Sequence, residues 1–279
     1  MSELHPPAPP STGVSVRAIA LPAQHGGWGF WLEPTLLGAL VAPSLPGLLL
    51  SAAALLVFLF HHPFVIAFKD WRRGRHYART RLAARFALIF GGGALLLAGA
   101  AALIARMQTG EIRFLLPIAL SAPLAGIQLA AEARGQGRGL IAEIAGAALF
   151  AALAPASALQ AGWTDAAAFG LWAILIARAV PSIGYVRTRL RLEKGRPAPA
   201  LPVIGLHGGA LIALGALALS GIAPFTTLIG GAILFGRAAL GTSARRQPVP
   251  ARIIGFREIA YGVIVVLLAA VGYGLAGAG

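Results

Sequence analysis

Cysteine is absent from the 279 residues, which excludes disulfides, thiol nucleophiles and cysteine-ligated metals. Carboxylates are nearly as scarce: nine Asp and Glu stand against 23 Lys and Arg, for a net charge of +14. Only 11% of the residues are charged, where soluble domains carry about 25%. A soluble globular fold is therefore excluded. Methionine occurs twice, one of these being the start, which leaves little for a Met-ligated haem. No HxxxH or HExxH spacing, Walker A motif or GxGxxG in a strand context occurs, and Ser182 and Ser220 have no hydrolase motif around them. No metal site is assigned, and the residues name no cofactor.

What remains is oil, at 58% hydrophobic, in long runs broken by short basic patches. That pattern predicts an all-α polytopic membrane bundle. About nine apolar segments can be drawn, from Gly27 to Ala42, Gly47 to Phe68, Leu82 to Ala105, Phe114 to Ala131, Gly139 to Leu159, Ala166 to Val186, Pro202 to Ser220, Pro224 to Leu240 and Ile253 to Leu275. Residues 1–24, Pro-rich and polar, read as a disordered cytoplasmic tail, and 25–279 as one transmembrane domain. Dense Gly and Ala, as in "GGGALLLAGAAAL", favour close helix packing.

Cations concentrate in alternate loops. Lys69, Arg72, Arg73, Arg75, Arg79 and Arg81 follow segment two; Arg187, Arg189, Arg191, Lys194 and Arg196 follow segment six. The positive-inside rule then places the N-terminus in the cytoplasm and the C-terminus outside, across a bacterial cytoplasmic membrane. Because the cations sit between spans, lipid headgroups are the expected partner and nucleic acid is not. Protein partners are not indicated.

Polar groups inside the spans share the same side. Glu33, Glu143 and Glu258 follow helix starts, His62 and Arg178 lie toward the ends of descending helices, and His25 and His207 flank further starts. Charged groups in spans are costly and are functional candidates by default. Arg72, Arg75 and Arg79 are spaced i, i+3, i+7, so a continuing helix puts three guanidiniums on one face, a geometry suited to phosphate or carboxylate. The plain alternative is a loop that sets topology, with Asp70 paired to Arg73. For Arg178 the alternative is an ion pair with one of the glutamates. Glu132, at a helix C-terminus, opposes the dipole and requires a cation.

"LPAQHGGWGFWLEP" (21–34), "ARAVPSIGYVRTRLRLEKGRP" (177–197) and "GFREIAYG" (255–262) resemble the YwiC-like family of bacterial integral membrane proteins. That likeness implies a membrane protein and no particular activity. More distantly, the layout is similar to the UbiA superfamily of intramembrane prenyltransferases, whose nine helices enclose a cytoplasmic-side cavity. "HGGWGFWLEPTLLGAL" is similar to the opening of their first helix, and "GRPAPALPVIGLH" to the start of their seventh. In that superfamily Asp-rich motifs after helices two and six hold Mg2+ and a diphosphate. Here the first motif's register falls on Lys69, Asp70, Arg73 and Tyr77, and the second's acids on Arg189 and Glu193. Guanidinium repels a metal, so arginine is expected to replace it as the anion's partner.

The expectation is a UbiA-like bundle binding an amphiphile with an anionic head: an isoprenoid phosphate, a quinone precursor or a lipid. Arg72, Arg75, Arg79, Arg187, Arg189 and Arg191 would hold the anion, with His25, His62, His207, Glu143 and Glu258 lining the site. Asp70, Glu33, Arg178 and Glu193 would orient the ligand or exchange protons. A divergent transferase, a transporter and a non-catalytic assembly subunit all stay open. A transporter would need polar groups reaching the outer face, which the sequence hardly offers.

Overall fold

A computed structural model describes residues 15–21, 27–75 and 77–277. Among these residues all regular structure is helical. Each of the nine apolar segments is a helix or a helix pair, in order. α1 is a short helix, Val16–Ala20, and lies ahead of them; α2 is Gly27–Val41, α3 Leu45–Arg72 and α4 Ala78–Thr109. A 3-10 turn, Arg113–Leu115, leads into α5, Leu116–Ala133. The fifth segment is split into α6, Leu140–Ala151, and α7, Leu153–Gln160. Pro155 lies just beyond the break, and its ring cannot accept the carbonyl of Ala151 in a continuous helix. Then follow α8, Asp165–Glu193, α9, Leu201–Leu219, α10, Thr226–Thr242, and α11, Ala251–Leu275.

Seven of the segments are long and apolar enough to cross a membrane, with α6 and α7 counted as one span. α10, at 17 residues, is a shorter apolar helix, and α2 has 15 residues. Helix starts are fixed locally. Ser44 caps α3 by accepting from the Gly47 N–H, and Thr164 caps α8 by accepting from Ala167.

Three expectations need correction. The helices outrun the apolar segments: α3 runs on to Arg72, α4 starts at Ala78, and α8 continues through "RTRLRLE" to Glu193. Hydropathy marks where the oil stops, whereas Arg and Lys are good helix formers and carry the backbone onward. The shared face of Arg72, Arg75 and Arg79 does not form. Gly74 adopts φ 63°, the left-handed conformation that closes α3, so Arg79 belongs to a different helix from Arg72. Finally, the reading of residues 1–24 as disordered is too broad, because α1 buries Ile19 against Ala67 and Ala83 of α3 and α4. Two apolar residues in "VRAIA" suffice to dock one helical turn.

α8 is the central helix, touching α2, α6, α7, α9, α10 and α11. Leu171 and Ile174 of α8 pack with Leu37, the whole of α7, Val266 and Ala269 into the main core. α3 and α4 form a peripheral hairpin packed along its length, and α4 otherwise meets α1. α4 turns Ala83, Ala87, Ala94, Ala101 and Ala105 inward and leaves Leu88, Leu95 and Leu96 on the outside, as a helix facing lipid should. This arrangement brings the ends of α2, α8, α9, α10 and α11 together beneath the basic loops.

Candidate functional site

Five helices each contribute a polar side chain to one buried network. Arg178, in the middle of α8, places its Nε 2.8 Å from Glu33 Oε2 of α2 and donates from a terminal nitrogen to the Glu258 carbonyl of α11 at 2.7 Å. Arg237 of α10 is ion-paired with the Glu258 carboxylate and donates to Ser182 Oγ at 3.2 Å. It also reaches His207 Nε2 at 2.9 Å. Since arginine can only donate, that nitrogen must carry the lone pair; Nδ1 then bears the proton and donates to the Val203 carbonyl, 2.8 Å away. His207 is thus a neutral acceptor. The Arg237 guanidinium lies 4.0 Å from the Tyr185 ring centroid and 5.5 Å from that of Tyr261. All of these charged groups are at most 9% exposed.

Glycine makes the close approach possible. A Cβ on Gly262 would run into the Glu33 carboxylate and come within 2.7 Å of an Arg178 nitrogen. One acceptor is left over: Glu258 Oε2 is buried and has no hydrogen-bond partner.

Two cavities adjoin the network. The larger, of about 630 Å³, opens between α2, α6, α8, α9 and α11. Phe30, Ile183, Val203 and Leu206 give it apolar walls, while Arg178, Arg187, Arg191, Glu143 and Glu258 supply its polar lining. Arg187 is held by Glu143 at 2.9 Å and by the Arg138 carbonyl at 3.0 Å; Arg191 donates to the Pro197 carbonyl at 3.3 Å. The smaller, of about 350 Å³, lies between α8, α10 and α11 and is lined by Arg189, Arg237, Arg245, Arg246 and Arg257, with Glu258 shared between the two.

The remaining expected site residues are elsewhere or otherwise engaged. Asp70 does not pair with Arg73: its two oxygens accept from Arg79 at 3.1 and 2.9 Å and from Thr80 at 2.7 Å, tying α3 to α4. Arg72 stacks over Phe68 and reaches the Ala133 carbonyl at 3.5 Å, and Arg75 is exposed. Neither cavity is lined by Arg72, Arg75 or Arg79, so the structure does not bring them together with Arg187, Arg189 and Arg191. His62 contacts the Ala18 carbonyl at 3.0 Å on the α3 flank, away from both cavities. His25 lies outside the described residues. Glu132 has the cation it requires, Lys69, at 2.6 Å.

The magnesium that the UbiA likeness implies does not fit these residues. Asp70 is saturated, and Glu193 is consumed by Arg189 at 2.7 Å and by the Val249 N–H at 3.2 Å. Among the described residues, no three of His, Asp and Glu come together as a metal site.

Sequence reading passed over Arg237, Ser182, Tyr185, Tyr261, Arg245, Arg246 and Arg257. Arg237 was detectable by the same signal as Arg178, an arginine inside an apolar run, here "GGAILFGRAALGT". Arg245 and Arg246 stand out only as cations of the basic loop between segments eight and nine, and nothing local marks the other four.

Residues 21–158 match the model of the YwiC-like protein family. Over these residues the chain is similar to YwiC-like proteins. The YwiC-like stretch includes Glu33, Asp70, the α3–α4 cations and Glu143; the second and third stretches quoted for the likeness, with most of the buried network, lie beyond it. No curated protein and no solved structure matches the chain.

Proposed function

We propose that the 630 Å³ chamber binds an amphiphile with an anionic head, its chain against the apolar wall and its head toward Arg187 and Arg191 on the basic side. The observation that carries this reading is the pairing of a largely apolar cavity with Arg191, a guanidinium that has no carboxylate partner among the described residues. Arg178, already committed to Glu33, acts here as a fixed part of the wall.

The proposal stops at binding. UbiA-type transfer needs carboxylates free to hold a metal diphosphate, and those in the motif positions are engaged. Native mass spectrometry of the gently purified full chain should show a bound lipid-like mass. Arg187→Ala/Arg191→Ala should lower its occupancy severalfold; unchanged occupancy in that variant refutes the chamber as the site.

A further inference from the structure

The 350 Å³ cavity has a different character from the chamber. Its inner wall is the Arg237–Glu258 pair with Tyr185 and Tyr261. Toward the basic side the loop between α10 and α11 closes over it. Arg189, buried at the end of α8, fixes that loop by donating to the Gly241 carbonyl at 2.5 Å and to the Gln247 carbonyl. Glu193 assists by accepting from the Val249 N–H. The loop so held carries Arg245 and Arg246, and the first turns of α11 carry Arg257.

These three guanidiniums have no carboxylate partner among the described residues. Arg246 goes further, since its Nε is buried without any hydrogen-bond partner. Five arginines therefore line a space that contains one carboxylate, and that carboxylate is already paired with Arg237. An anion in that space would be shared by several cations, and guanidinium forks match tetrahedral oxyanions in paired geometry.

The geometry points to a second site, for a phosphate-class anion, with Arg245, Arg246 and Arg257 as its donors and Arg189 as the residue that positions the loop. It goes beyond the chamber reading and does not rest on it. The chemistry is shared by free phosphate and by the phosphodiester head of a lipid. Leu240, exposed and part of the lining, sets the cavity's mouth at the protein surface, where either could arrive.

The test uses the full chain in nanodiscs. In one arm inorganic phosphate is titrated calorimetrically into protein in phosphatidylcholine discs. In the other, discs containing phosphatidylglycerol and no free phosphate are analysed by native mass spectrometry for retained lipid. Arg246→Ala/Arg257→Ala should weaken binding about tenfold or more in at least one arm, because each lost charge-assisted pair is worth at least about a factor of three. Arg72→Ala/Arg75→Ala removes the same charge elsewhere and should change it less than about twofold. An effect confined to the phosphate arm assigns a soluble anion; one confined to the lipid arm assigns a headgroup. Equal losses in both variants, or no binding in either arm, overturn the site. Thermal unfolding checks that the variants are folded. Should the double variant fail that check, Arg257→Gln, at an exposed position, must still weaken binding roughly threefold. Occupancy of the chamber by its own lipid-like ligand is read separately and bears only on the first proposal.

Discussion

Two basic corners of this protein draw on the same residue types and end differently. At the α3–α4 corner the buried carboxylate Asp70 is consumed by Arg79 and Thr80, Lys69 is matched by Glu132, and neither cavity adjoins the patch. Where α8, α10 and α11 meet, the carboxylates Glu193 and Glu258 are spent on Arg189 and Arg237, and Arg245, Arg246 and Arg257 are left facing a cavity. The number of cations is similar at both corners. What separates them is whether the unmatched guanidiniums line a common cavity.

The sharpest way to test this contrast is to break the buried pairs. Arg178→Ala should destabilise the protein by about 3–5 kcal/mol, because Glu33 is left charged and buried. Replacing both, as Arg178→Met/Glu33→Leu, should recover most of that loss; thermal unfolding in one detergent compares the two. Gly262→Ala comes next: its Cβ meets the Glu33 carboxylate and Arg178, for an expected cost of about 1–3 kcal/mol in the same assay. At the peripheral corner, Arg79→Ala should leave the bundle's unfolding nearly unchanged and instead loosen the α3–α4 turn. Faster proteolysis between Arg73 and Ala78 is the readout, and equal rates would show that the Asp70 clamp is idle. The smallest effect belongs to Arg245→Ala/Arg257→Ala, which should shift stability by no more than about 0.5 kcal/mol. A large loss there would mean that these guanidiniums have structural partners, and the contrast between the corners would collapse.

Much of the fold was legible. Every drawn segment is helical, and α5 and α11 end within two residues of their expected limits. Glu33, Arg178, His207 and Glu258 stood out because a charged or titratable group inside an oily run is conspicuous whatever surrounds it. The anion-binding set was less legible. Arg79 was grouped with Arg72 by spacing, and a left-handed Gly74 separates them. Arg187, Arg189 and Arg191 alternate along a single helix, so their side chains diverge: Arg187 and Arg191 line the chamber, Arg189 the second cavity. Arg246 shows in the sequence only as one of the loop cations and Arg257 not at all, since their importance comes from what they lack.

Composition and hydropathy by themselves determined that the chain is a helical membrane bundle, because burial in oil is decided residue by residue. Which charges meet is a different matter. Glu33 finds Arg178 across about half of the chain, and Arg237 finds Glu258 on the next helix, through the packing of α2, α10 and α11 around α8. Only the tertiary structure decided which arginines were neutralised and which were left around a cavity, since pairing depends on distances that a linear pattern does not contain.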